Sequence, residues 1–109
     1  MGKGEYLGEF EQLILLALVR LGNNAYGMTV RREIEERAER NVSIGAVYAT
    51  LDRLEEKGYV TSHFGEATPE RGGRAKRFFA ISASGVYALN ESRETLSRMW
   101  KGLRLGEVS

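Results

Sequence analysis

Between Gly8 and Leu21 nearly every position is apolar. Phe10, Leu13, Ile14, Leu15, Leu16, Ala17, Leu18, Val19 and Leu21 leave polar groups only at Glu9, Glu11, Gln12 and Arg20. A helix apolar on most of its circumference buries more than one face. The pattern therefore predicts a first helix that lies on its own core and also against a partner. Gly22-Asn23-Asn24 ends it. From Tyr26 to Arg40 the pattern changes: Met28, Val30, Ile34 and Ala38 are set among Arg31, Arg32, Glu33, Glu35, Glu36, Arg37 and Glu39. That predicts a second helix whose alternating charges form i,i+4 pairs on a solvated face. After the turn at Asn41-Val42, Ser43 is an N-cap. Ile44, Val47, Leu51 and Leu54 recur at helical spacing as the inward stripe of a third helix. Lys57 suits its last turn, and Gly58 suits the position just past its end.

Two extended runs follow, Tyr59 to Phe64 and Arg77 to Ser82, rich in aromatic and β-branched residues. Residues 65–76 between them hold Pro69 and the pair Gly72-Gly73, which predicts a hairpin with a long tip. The final segment runs from Ala83 to about Leu103, capped by Ser82 or Ser84. Val86, Leu89, Arg93, Leu96, Trp100 and Leu103 alternate steps of three and four, a narrow seam for another helix. Tyr87 and Met99 widen it. The tail, 104–109, is expected to fray.

Composition narrows the chemistry. The 109 residues suit one domain, with a core small enough to gain from a second subunit. There is no cysteine, hence no disulfide and no thiolate metal site. The single histidine, His63, cannot hold a metal alone and reads as a surface strand residue. No catalytic Ser/His/Asp set and no phosphate-cradling loop stands out, so neither an enzyme nor a bound cofactor is expected. Gly2 to Glu5 do not resemble a signal peptide, and the run Leu13 to Val19 is too short to cross a bilayer. A cytoplasmic protein with no membrane partner is expected. The formal net charge of +1 means that any nucleic-acid binding must rest on local charge.

Three helices followed by a hairpin outline an α+β winged helix-turn-helix over residues 1–82. A C-terminal dimerisation helix and tail, 83–109, complete one structural unit. The third helix then enters a DNA major groove, and the hairpin reaches backbone or minor groove. Gly45, Ala46 and Ala49 flank Tyr48 with almost no side chain, which would let sugar-phosphate walls approach. Tyr48 could donate its hydroxyl to a phosphate, Ala46 and Ala49 could touch thymine methyls, and Ser43 is shared between cap and phosphate contact. Arg53 could reach backbone or pair with Glu56 or Glu33. From Glu70 to Arg77 the chain carries Arg71, Arg74, Lys76 and Arg77 against one acid, a sum of +3. Gly72 and Gly73 keep this tip narrow. Such arginines enter minor grooves or grip phosphates, unless they serve only to solvate the tip.

The runs Leu7-Gly8-Glu9-Phe10-Glu11, Leu15-Leu16-Ala17-Leu18 and Tyr26-Gly27 resemble the start of PadR-like transcriptional regulators. Val47 to Val60 is similar to that family's VYxTLxRLExxG pattern. Arg71 to Phe79 looks like its GGRxxxYY wing, with phenylalanines for tyrosines, and Ser82 to Gly85 stands where Thr-x-x-Gly is common. The resemblance spans about residues 7 to 103. It implies a homodimeric repressor of double-stranded DNA that reads a pseudo-palindromic operator with helix 43–57 and wing 65–76. The implied DNA-binding set is Tyr26, Ser43, Gly45, Ala46, Tyr48, Ala49, Arg53, Arg71, Gly73, Arg74 and Lys76. The implied dimer interface joins the first and last helices through Phe10, Leu13, Ala17, Val86, Leu89, Arg93, Leu96, Trp100 and Leu103. With a single C-terminal helix the chain resembles the short subfamily. The resemblance also implies a small-molecule effector, aromatic or cationic, at the dimer interface near Leu96 and Trp100. The alternatives are a ligand-sensing dimer that such an effector releases from DNA, and a protein-partner adaptor that binds no DNA.

Overall fold

A computed structural model describes residues 6–65 and 75–107. The elements run α1 (Glu9–Leu21), a 3-10 turn at Gly22–Asn24, α2 (Gly27–Ala38), α3 (Ile44–Glu56), β1 (Val60–Phe64), β2 (Arg77–Ile81), α4 (Ala83–Trp100) and a 3-10 turn at Leu105–Glu107. This is the order that the hydrophobic pattern predicts, with ends trimmed by local chemistry. Gly8 caps α1 with extended backbone, and Glu11 reaches back to accept the Gly8 N–H at 2.8 Å. Ser43 Oγ accepts the Ala46 N–H at 3.0 Å. Of the two candidate caps of α4, Ser82 serves: its Oγ accepts the Gly85 N–H at 3.1 Å. α2 stops at Ala38 because Glu39 turns left-handed, with φ 55°. Arg40 therefore lies outside the helix and forks onto Glu9 of α1, at 3.1 and 3.2 Å. α4 ends at Trp100, one turn before Leu103, at a break that Gly102 completes with φ 84°.

The core is built from one stripe of each helix and one face of the hairpin. Ile14, Leu15 and Leu18 of α1 meet Val30 and Ile34 of α2 and Val47, Leu51 and Leu54 of α3. Val60 and Phe79 close the cluster from the sheet side. The hairpin is antiparallel, in register from Val60↔Ile81 to Phe64↔Arg77. A single isolated bridge adds one more pairing to this two-stranded sheet. Tyr26 bridges Phe78, and the Phe79 N–H donates to the Ala25 carbonyl at 2.8 Å. The loop before α2 is thereby tied to the root of the wing.

Two surfaces remain apolar. On α1, Leu16 and Val19 are 47% and 54% exposed. Ala17, expected at the dimer interface, is instead in the chain's own core at 3% exposure. The helix rotates so that Ile14, Ala17 and Leu18 turn inward together. α4 touches the body only through its first half. Gly85 is its one buried residue, and every helical position after Ser92 is exposed. The contact is close there: a Cβ on Gly85 would overlap the Tyr59 carbonyl and approach the Ile81 side chain.

Candidate nucleic-acid interface

α3 owes its inward face to Val47, Thr50, Leu51 and Leu54, all buried. At about 100° per residue, the line opposite that stripe passes through Gly45, Ala49 and Asp52. All three are exposed, as are Ser43, Ala46 and Arg53. Gly45 is the second residue of the helix. A Cβ there would meet nothing within 4 Å, and its φ is not left-handed. Neither packing nor backbone conformation among the described residues calls for glycine at this place. The first-turn N–H groups of Ile44 and Gly45 precede any intrahelical acceptor, so the bare end of α3 presents donors and a positive dipole.

Tyr48 borders this face at 37% exposure. Its ring leans inward, 6.4 Å from the Phe79 ring at a tilt. Its hydroxyl end lies over Gly27, the first residue of α2, where a Cβ would overlap it. The Tyr-Gly pair at 26–27 thus has a packing reason: glycine makes room for the tyrosine of the next helix. Tyr26 is half-buried at the start of α2 and donates its N–H to Thr29 Oγ1 at 2.9 Å. Its ring supports the wing root. Phe78 packs edge-on at 5.5 Å, and Lys76 Nζ sits 3.9 Å from the ring centroid. His63 stacks on Phe78 at 5.8 Å.

Arg53 points along the other flank of α3 and finds Glu11, not Glu56 or Glu33. Its Nε lies 3.1 Å from Glu11 Oε2, and Lys57 Nζ lies 3.2 Å from the same oxygen. The Glu11 side chain is only 8% exposed. Burial raises its pKa, but the Gly8 N–H, Arg53 and Lys57 together outweigh burial and hold the carboxyl below the usual range. One acid on α1 therefore caps its own helix and fastens α3. A second cluster joins α3 to the hairpin. Arg77 bridges Asp52 at 3.2 Å and Glu55 at 2.7 Å. Sequence reasoning assigned neither cluster. Glu11 carried one signal, an acid at the third position of a helix that is apolar from Leu13 to Val19.

Arg71, Gly73 and Arg74 lie outside the described residues. Of the residues expected on the dimer surface, Phe10, Leu13 and Leu89 are half-buried against the chain's own core. Val86, Arg93, Leu96, Trp100 and Leu103 are exposed. A groove of about 880 Å³ opens between the start of α1 and α4, lined by Tyr6, Tyr59, Tyr87 and Leu96 among others. Leu96 borders it and Trp100 does not. Among the described residues no group of acids and His could hold a metal ion, and no helix is long and apolar enough to cross a membrane.

Comparison with known proteins places these features. A model of the transcriptional regulator PadR-like family matches residues 15–91. A PadR family transcription regulator from hypervirulent Clostridium difficile has 21% identity and a TM-score of 0.71, over 86% of this chain and 93% of that one. A transcriptional regulator from Clostridium thermocellum has 22% identity and a TM-score of 0.69, over 84% and 85%. At these identities the likeness is one of fold. The complex structure of hsRosR-S1 has 30% identity and a TM-score of 0.64, over 87% of this chain and 78% of that one. A comparison with curated proteins found no match.

Proposed function

Because the chain belongs to the PadR-like family of transcriptional regulators, we propose that it is a dimeric repressor that binds double-stranded DNA with the outward face of α3. The observation that carries this reading is Gly45. Glycine inside a helix costs about 0.5–1 kcal/mol relative to alanine, and here neither internal packing nor φ requires it. The reason then lies outside the chain, in a surface that must come closer than a Cβ allows. A sugar-phosphate wall is such a surface, and the free N–H groups of the first turn suit phosphate. Ala46 and Ala49 extend the clearance. Tyr48 at its edge offers a phenol to backbone. Lys76, held over Tyr26, adds charge at the wing root.

The dimer half of the reading rests on α4. An 18-residue helix with one buried residue does not bury its apolar seam within one chain. Leu96, Trp100 and Leu103 are 53–55% exposed, and Leu16 and Val19 supply a matching apolar face on α1. A two-fold dimer joined through these faces would set two α3 helices about one DNA turn, ~34 Å, apart.

Fluorescence anisotropy tests the DNA reading, with a duplex from immediately upstream of the gene and a shuffled duplex of the same composition. Preferred, steeply salt-dependent binding of the first is expected. Tyr48→Ala should weaken that binding while keeping a cooperative melt. Equal affinity of Tyr48→Ala and wild type would remove α3 from the interface. A second reading adds an effector, favoured by the tyrosine-lined groove that Leu96 borders. Such a ligand would act only by binding the DNA-incompetent dimer more tightly. Unchanged fluorescence of aromatic or cationic dyes on titration with the protein would count against it.

A further inference from the structure

The outward line of α3 carries a contradiction. Gly45 and Ala49 clear a path for DNA, and the next residue on that line is Asp52, a carboxylate. Glu55, half-buried, stands on the flank of that line toward the hairpin, and the exposed Glu56 continues the line a turn further from the bare tip. Asp52, with Glu55 beside it, would bring negative charge to the phosphate walls that the first turn invites, and like charges across an interface are strongly unfavourable. Arg77, the first residue of β2, meets both. Its Nη1 lies 3.2 Å from Asp52 Oδ1, its Nη2 lies 2.7 Å from Glu55 Oε1, and its Nε donates to Ser62 Oγ at 3.3 Å. Ser62 in turn donates its hydroxyl to Glu55 Oε2 at 2.9 Å. The guanidinium carbon sits 4.8 Å from the Phe79 ring centroid.

Strand alternation explains why Arg77 does this and Lys76 does not. Successive side chains of a strand point to opposite faces. Arg77 shares a face with Phe79 and turns toward α3, whereas Lys76 shares a face with Phe78 and turns toward Tyr26. The planar fork of arginine also spans two carboxylates one helical turn apart, which an ammonium cannot do bidentately. The three acidic and basic side chains are 30–58% exposed, a setting in which ion pairs add little to fold stability. All three nitrogens of the guanidinium are nonetheless engaged.

We propose that Arg77 is a positioning residue for DNA recognition. It is held internally to mask Asp52 and Glu55, and it does not itself bind phosphate. The basic count of the wing therefore overstates its grip by one charge per protomer, and the acidic flank of α3 tolerates DNA only while Arg77 covers it. This inference rests on the DNA-binding reading above.

The test compares wild type, Arg77→Gln, the double variant Asp52→Asn with Glu55→Gln, and the triple variant. Anisotropy is read on the upstream and shuffled duplexes over a salt series, with a thermal melt of each protein. Arg77→Gln should bind about tenfold more weakly, because it bares two carboxylates to phosphate. The triple variant should recover to within about threefold of wild type. The double variant should bind at least as tightly as wild type. The slope of log K against log salt should be nearly unchanged in Arg77→Gln. If Arg77 contacts phosphate directly, that slope should fall by about 0.9 per protomer and the triple variant should stay weak; either result overturns the proposal. A double variant weaker than wild type also overturns it, and this comparison decides the matter if Arg77→Gln does not fold. If wild type binds neither duplex, the DNA reading itself falls.

Discussion

Gly45→Ala separates clearance from packing, because the two effects have opposite signs. The second position of α3 has open space around a notional Cβ and an ordinary helical φ, so the added methyl meets no internal atom. Alanine should then stabilise the fold by up to about 0.5–1 kcal/mol through helix propensity and reduced freedom of the unfolded chain. For a domain of this size 1 kcal/mol moves Tm by about 4–8 °C, so a rise of roughly 2–8 °C is expected by circular dichroism. On the DNA-binding reading, the same methyl enters space left for the DNA wall in the complex. Overpacking of that kind costs about 1–3 kcal/mol, which is about 5- to 150-fold in Kd. Gly45→Leu, also a good helix former, should keep a gain on melting and deepen the loss of binding. Anisotropy with the upstream duplex reads the second quantity on the same samples. If both variants melt higher and bind DNA as tightly as wild type, clearance is not the reason for Gly45. If Gly45→Ala melts lower, the position packs against something and the premise is wrong.

Gly27→Ala should behave oppositely: its methyl overlaps Tyr48, so a loss of about 1–3 kcal/mol is expected on melting. Much of that loss should be recovered in the double variant with Tyr48→Ala. Glu11 has its carboxyl pKa lowered from 4.5, so its contribution is present above the unfolded pKa and lost as pH falls through the folded one. Wild type should therefore lose Tm below about pH 4.5 more steeply than Glu11→Gln, which should also melt lower at pH 7; equal acid limbs would refute the depressed pKa. Leu96→Glu should shift the protein from dimer to monomer in light scattering and leave the melt of the winged-helix body cooperative. A monomeric wild type would refute the reading of α4.

What the sequence revealed was local, and what it hid was long-range. Ser43, Ser82 and Gly58 act within one turn of the helices they bound, and the stripe Val47, Leu51, Leu54 follows from period alone. The bare first turn of α3 was readable for the same reason. Glu11 finds its cations 42 and 46 residues away, and no pattern in either segment requires that pairing. The pairing of the loop before α2 with the hairpin is a single bridge at Tyr26, too short to show period 2. In α1, Leu16 and Ala17 could not be sorted, because a segment apolar all round carries little directional signal. The structure turns the leucine out and the alanine in. The tilt of Tyr48 left one trace, a glycine in the first turn of α2 that no other packing explains.

These long-range contacts have one geometric result. α3 is held on one flank by Glu11 through Arg53 and Lys57, on the other by Tyr48 over Gly27, and toward its end by Arg77 through Asp52 and Glu55. The first turn and Ala49 are left uncovered by these contacts. On the DNA-binding reading, little ordering of α3 remains to be done when DNA arrives, and that part of the cost of association is avoided. The surface so fixed consists of glycine, alanines and backbone N–H groups, which carry few side-chain donors or acceptors for base edges. α1 bears both the acid that fastens α3 and the exposed Leu16 and Val19. The separation of two recognition helices in a dimer would thus be set by rigid contacts through α1. Discrimination among sites would then lean on half-site spacing and DNA shape more than on hydrogen bonds from α3. Substitutions that move α1 against α3, at Glu11 before any other residue, should change the preferred spacing before they change the preferred bases.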